Sequence, residues 1–203
     1  MKFILYLSFI LFNLNVIAQK SIEFNTSKLY LVTRSTENKQ NIIAKDFNIK
    51  DSLSTHIGIG YFENQKFKIY NVSNIEVNTN DSSLIIDSYE SFINLKDFKY
   101  CSIWSCVLEV DKMNKFKQIL KTFENKKLTF DHEFDLKNSS YYCSEFVYNV
   151  LKLLDEEKFN FTPKTIVLTD FYKNVLKREK LKFIPVDFFQ TNQLFTIEYE
   201  KYK

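Results

Sequence analysis

The sequence predicts an α+β fold built on an antiparallel sheet packed against helices, and three observations carry that prediction. Apolar, β-branched segments pair off across short polar breaks, as hairpins do. Segments with apolar residues three and four apart stand between groups of strands instead of alternating with them. Gly and Pro number only two each beside 21 Phe and 12 Tyr, which sets aside collagen-like and low-complexity chains and leaves a packed one.

Residues 1–18 have the build of a signal peptide: Lys2, an apolar run from Phe3 to Phe12, and Val16-Ile17-Ala18 at the cleavage-type positions. A membrane anchor needs about 20 apolar residues, whereas Asn13, Asn15 and Gln19 interrupt this run. Cleavage after Ala18 is therefore expected, giving an exported chain, periplasmic or extracellular, with no stable membrane span and a single domain over residues 19–203. No Cys directly follows Ala18, so a lipoprotein anchor is not indicated.

Lys28 to Arg34 (KLYLVTR) reads as a strand, and the polar stretch after it, through Asp51, has no strong period. Thr55 to Phe62 and Phe67 to Val72 are apolar runs separated by Glu63-Asn64-Gln65-Lys66, a hairpin pattern. Ser83 to Ile93 reads as a short helix through Leu84, Ile85, Tyr89 and Phe92. Tyr100 to Val110 is a strand, followed by a helix that presents Met113, Phe116, Ile119, Leu120 and Phe123 on one face. The clearest helix starts at Cys143 and carries Phe146, Val147, Val150, Leu151 and Leu154, with Ser139 or Ser140 as its N-cap. A helix near Asp170 to Arg178 and strands at Leu181 to Val186 and Leu194 to Glu198 complete the chain.

Removal of the signal would leave 27 basic against 25 acidic residues, and these are interspersed, so no nucleic-acid footprint is visible. Three cysteines in an exported protein leave at least one thiol without an intramolecular partner. Cys101 and Cys106 lie five apart on one strand and face opposite sides, so they should not bond each other.

A thiol is a useful nucleophile as thiolate, and the first turn of a helix, with unpaired N–H groups and a positive dipole end, lowers its pKa. Cys143 occupies such a turn; it also starts an apolar stripe, where a buried structural cysteine would sit equally well. A nucleophilic thiol needs a base within reach, and His56 is one of two histidines. If Phe62 pairs with Phe67, His56 opposes Ser73 and Asn71 opposes Gly58, so His56 and Asn71 share a face as diagonal neighbours, about 7 to 8 Å apart at the backbone. Asn71 could then orient the imidazole across the space Gly58 leaves. A loop one residue longer would present Tyr70 instead, and Ser73 and Glu76 are further candidates. The Asp131-His132-Glu133 run is not expected to bind metal with Cys143, because adjacent residues on an extended segment point opposite ways and zinc needs three or four convergent ligands. Asp131 is expected to make a structural hydrogen bond, and Glu145 to place a negative charge near the helix N-terminus.

His56-Ile57-Gly58-Ile59-Gly60 resembles the His-Val-Gly-Ile signature, and Tyr142-Cys143-Ser144-Glu145-Phe146-Val147 the Tyr-Cys-Ser-Glu-Leu-Val signature, of the YiiX/YaeF-like permuted NlpC/P60 cysteine hydrolases. The resemblance runs from about Thr55 to Leu151 and includes Phe130-Asp131-His132-Glu133-Phe134, similar to the family's approach segment ahead of the Cys. It implies a circularly permuted papain-like fold with the His strand ahead of the Cys helix, Cys143 as nucleophile, His56 as general base, and Asn71 where relatives commonly place an acidic or amide third residue. No cofactor and no metal are expected, and the resemblance implies a substrate with an amide or ester bond: a peptide, a peptidoglycan-derived fragment, or an acyl lipid. Two departures, Asn71 where Glu is common and the absence of a Gly-Asp pair near the first strand, keep open a secreted binding module that retained fold and pocket without turnover.

Overall fold

The structure, a computed structural model, describes residues 23–36, 42–74 and 82–203. The signal-type segment and Glu76 therefore lie outside the described residues.

Strand β1 (Lys28–Thr36) is the apolar run KLYLVTR with two residues added, and its Leu29, Tyr30, Leu31 and Val32 are all buried. A strand buried on both faces belongs in the middle of a sheet, and β1 pairs antiparallel with β2 (His56–Glu63) on one side and β5 (Phe98–Val107) on the other. With β3 (Lys66–Val72), β4 (Leu84–Asp87) and β8 (Thr196–Tyr202), the six-stranded order is β4-β3-β2-β1-β5-β8, every pairing antiparallel.

The period-2 alternation of the strands sorts their side chains into two cores. Leu29, Leu31, Ile57, Ile59, Tyr70 and Val72 face helices α3 (Val110–Glu124) and α4 (Cys143–Leu154), which contribute Met113, Phe116, Leu120 and Phe123, and Phe146, Val150, Leu151 and Leu154. Tyr30, Val32, Ile69, Cys101 and Ile103 face the other way, under Phe92 of the short helix α2 (Tyr89–Ile93). Cys101 and Cys106 fall into different cores, and all three cysteines are free.

The hairpin pairs Phe62 with Phe67 and continues to Glu63 with Lys66, leaving Asn64 and Gln65 as the turn. Both have positive φ, 50° and 60°, the conformation whose twist matches right-twisted strands in a two-residue loop. The register is the one in which His56 and Asn71 share a face.

Several elements differ from the sequence expectation. Ser83 to Ile93 is not one helix: Leu84, Ile85 and Ile86 pair with β3, and the helix begins only after Ser88, whose hydroxyl accepts the Ser91 N–H at 3.1 Å. Cross-strand pairing of β-branched residues outweighs the weak helical period there. The polar stretch after β1 contains α1 (Ile42–Phe47), and β6 (Lys164–Val167) forms a two-stranded ribbon with β7 (Lys180–Phe183) around α5 (Asp170–Leu176). Neither Ser139 nor Ser140 caps α4; its N-cap is Tyr142. The serine segment is held elsewhere, with the Tyr141 N–H on Thr129 O at 3.0 Å, the Asp131 N–H on Tyr141 O at 3.1 Å, and the Ser140 and Thr129 hydroxyls in contact at 2.7 Å. Cys143 is thus the first residue of its helix.

Candidate active site

His56 opens β2 opposite Arg34 of β1, and its Nε2 lies 2.9 Å from Oδ1 of Asn71 on β3. Gly58 makes that reach fit: a Cβ there would lie 3.2 Å from Asn71 Cβ and 2.5 Å from Ile69 Cγ2. Asn71 is fully buried and its amide is held from behind, since Nδ2 donates to Asp87 Oδ2 at 2.9 Å and to Ile85 O at 3.3 Å. Both partners are acceptors only, so the amide cannot turn over without setting its oxygen against them. With Oδ1 directed at the imidazole, the network assigns the proton to Nε2 and the lone pair to Nδ1. Asp87 Oδ1 in turn accepts the Ser91 hydroxyl at 2.9 Å, tying the chain into α2.

The His56 ring lies roughly parallel to Phe92, with centroids 5.8 Å apart, and the Arg34 guanidinium sits 4.3 Å over the same ring and donates to Phe92 O at 2.5 Å. Burial first, and the Arg34 charge second, hold the imidazole well below its ordinary range, to about 3, against the smaller opposing effect of the Asn71 hydrogen bond. His56 is therefore neutral near pH 7.

Cys143 is buried at the start of α4, a helix that packs over β2 and β3. Ile57, the residue next to His56, and Ser144 lie beside its sulfur with backbone N–H groups that favour the thiolate. Burial pushes the thiol pKa up, while those N–H groups, the Ser144 side chain and the Arg34 charge pull it back. Ser144 is fixed by donating to Ile184 O at 2.7 Å, and Tyr142 by accepting the Ile184 N–H at 2.7 Å, so the segment after β7 clamps the first turn of the helix. The imidazole thus carries its free lone pair on Nδ1, and Cys143 starts α4 in the core shared with Ile57 and Tyr70.

Glu145 does not place a charge at the helix end. It is buried, and its pKa is raised to about 8 by burial and by the nearby Asp131 charge, so the carboxyl is largely protonated at neutral pH. The Tyr142 backbone N–H opposes that rise only in part, and Oε2 has no hydrogen-bond partner. Asp131 accepts the Glu133 and Asp135 N–H groups at 2.8 and 2.6 Å, a structural turn. His132 is exposed and meets the Phe130 ring.

No protein-family model matches the chain, and no curated protein matches it. Among solved structures, the one described as the metalloprotein YiiX from Escherichia coli O157:H7 matches over 86% of this chain and 97% of its own, with a TM-score of 0.60 and 14% identity. The chain has a YiiX-like fold. At that identity the likeness speaks for the fold alone. The YiiX structure is described as a metalloprotein; among the described residues here, no group of three or more His, Cys, Asp or Glu side chains could hold a metal ion. Asp131 has both carboxylate oxygens engaged by backbone N–H groups. Among the described residues, no helix is long and apolar enough to cross a membrane.

Of the residues singled out in the sequence, the structure sets His56 against Asn71, while Cys143 starts α4 in the core with Ile57 and Tyr70 on the other face of the sheet. Tyr70 faces the opposite core and bonds Glu124 at 2.5 Å. Arg34, Asp87 and Phe92 were not foreseen. Asp87 would have emerged had Leu84-Ile85-Ile86 been read as an edge strand, since its position two residues beyond Ile85 then falls beside Asn71.

Proposed function

We propose that the protein is an exported cysteine hydrolase of the permuted papain-like kind. Cys143 is the nucleophile, His56 the general base and then general acid, and Asn71 the group that orients His56. The single observation that supports this best is the 2.9 Å contact between His56 Nε2 and Asn71 Oδ1, which leaves Nδ1 as the free base.

In the proposed reaction His56 Nδ1 takes the thiol proton as sulfur attacks the carbonyl carbon. The tetrahedral oxyanion is stabilised by backbone N–H groups at the start of α4. Collapse breaks the acyl bond, His56 returns the proton to the leaving amine or alcohol, and a thioester remains on Cys143. Water, deprotonated by His56, then releases the carboxylic acid and restores the thiol. The substrate class is a cell-wall-derived peptide amide, with an acyl ester as the alternative. Hydrolysis of peptidoglycan stem peptides by the wild type and by Cys143→Ala tests this: loss of turnover in the variant supports it, and equal rates overturn it.

Two observations favour a second reading, a binding module with little turnover. The thiol is buried and its pKa pushed up, and an amide stands where a carboxylate would better support an imidazolium. Under that reading, ligands of the same class bind the wild type and are recovered unhydrolysed.

A further inference from the structure

The ribbon β6–β7 and the helix α5 between its strands carry a surface feature that the thiol chemistry does not use. From Lys164 to Lys182 the sequence holds six basic residues, Lys164, Lys173, Lys177, Arg178, Lys180 and Lys182, against two acids, Asp170 and Glu179. Both acids are engaged by one lysine: Lys173 lies 3.4 Å from Asp170 and 3.0 Å from Glu179. The other five cations have no ion pair among the described residues.

Three large apolar side chains stand among them: Val167, Phe171 and Val175 are 71%, 69% and 52% exposed. Phe171 and Val175 are four apart and share one face of α5. The inner face is held by Tyr172, whose ring packs on Phe47 with centroids 4.8 Å apart and whose hydroxyl bonds Asp46. On the remaining face an open groove of about 520 Å³ is lined by Lys173, Asn174, Lys177 and Arg178 together with Asp170 and Glu179. In the ribbon Val167 pairs with Lys180 and Thr165 with Lys182, on the side opposite buried Leu181 and Phe183.

Exposed aromatic and aliphatic side chains interleaved with unpaired cations suit a surface that is apolar inside and anionic at its boundary. The apolar groups enter the acyl layer while Lys and Arg reach the phosphates. We infer that β6–α5–β7 is a docking surface for an anionic phospholipid bilayer, with Phe171, Val175 and Val167 inserted and Lys177, Arg178, Lys180 and Lys182 at headgroup level. Docking is independent of the proposed hydrolysis and needs no intact Cys143.

Co-sedimentation of the full chain with vesicles of phosphatidylglycerol and phosphatidylcholine, against phosphatidylcholine alone, tests the inference. Binding is expected to the anionic vesicles only and to weaken with added salt. It should fall by at least about tenfold in Phe171→Asp/Val175→Asp and, separately, in Lys180→Glu/Lys182→Glu; all four positions are exposed, and melting curves matching the wild type establish that the variants fold. Equal binding to both vesicle types, absence of binding, or binding that persists in both variants overturns it. So does a self-association in sedimentation velocity that Phe171→Asp abolishes while vesicles go unbound.

Discussion

Asn71 holds His56 through one oxygen, 2.9 Å from Nε2, and is itself held from behind by Asp87, 2.9 Å from its Nδ2. The orientation of an imidazole on β2 thus depends on a carboxylate on β4, two strands away, with a buried amide between them.

Asp87→Ala should leave the Asn71 amide with Ile85 O alone and free it to reorient. Loss of a buried partner costs about 1–3 kcal/mol, read as a lower urea midpoint. The functional readout is the nitrogen-15 spectrum of the His56 ring: proton on Nε2 in the wild type, a mixture of tautomers in the variant. An unchanged tautomer would show that Asp87 does not position Asn71.

Asn71→Ala should leave the fold intact at a similar cost and reduce turnover, since a misoriented base loses much of the roughly 10²- to 10⁴-fold that general base catalysis supplies. Asn71→Asp should raise the His56 pKa by offering imidazolium a negative partner. Titration of the His56 ring by NMR in both variants checks the direction; no rise in Asn71→Asp would count against the contact.

Gly58→Ala adds a Cβ within 2.5 Å of Ile69 Cγ2 and 3.2 Å of Asn71 Cβ. The strands must separate locally, so the expected outcome is a loss of about 1–3 kcal/mol together with a weakened His56–Asn71 contact. Thermal melting and the same ring spectrum measure the two effects, and a variant that melts like the wild type would contradict the packing.

The pH dependence of stability should have two limbs. His56 has a folded pKa of about 3 against 6.5 unfolded, so the unfolded chain binds its proton first, and this group's contribution is lost as pH falls from 6.5 towards 3. Glu145 has a folded pKa of about 8 against 4.5 unfolded, so the native state keeps a proton that the unfolded chain releases. Its contribution is full below 4.5 and lost as pH rises towards 8. The two slopes oppose each other between 4.5 and 6.5, and above 6.5 only the Glu145 limb remains. Urea midpoints against pH should therefore fall from 6.5 to 8 in the wild type and stay level there in Glu145→Gln; parallel curves would place the alkaline limb elsewhere.

Much of the framework was legible because the deciding signals are local. The apolar stripe from Cys143 to Leu154 defined α4, and the Phe62 to Phe67 spacing fixed the parity that sets His56 beside Asn71. What escaped depends on contacts remote in sequence. Asp87 became an orienting group only because Leu84–Asp87 is a strand added at the sheet edge, and Arg34 reached the site because the end of β1 lies opposite His56. Glu145 looked like a helix-end charge, yet burial beside Asp131 keeps it protonated. The cap of α4 moved to Tyr142 because Ser140 is tied to Thr129, and Tyr141 to Thr129 and Asp131, in a bridge that spans ten residues of loop.

The coupling of Cys143 to His56 is the central claim, and the rate of Cys143 alkylation by iodoacetamide, followed by mass spectrometry from acid to alkaline pH, tests it most directly. With both groups neutral at rest, His56 should assist loss of the thiol proton, so that near pH 7 the wild type labels at least about 100-fold faster than His56→Ala, the lower end of what a positioned base supplies. Equal rates in the two proteins, with Cys143 reacting only as the chain unfolds, would mean that the thiol is inert core and that the proposed chemistry does not occur.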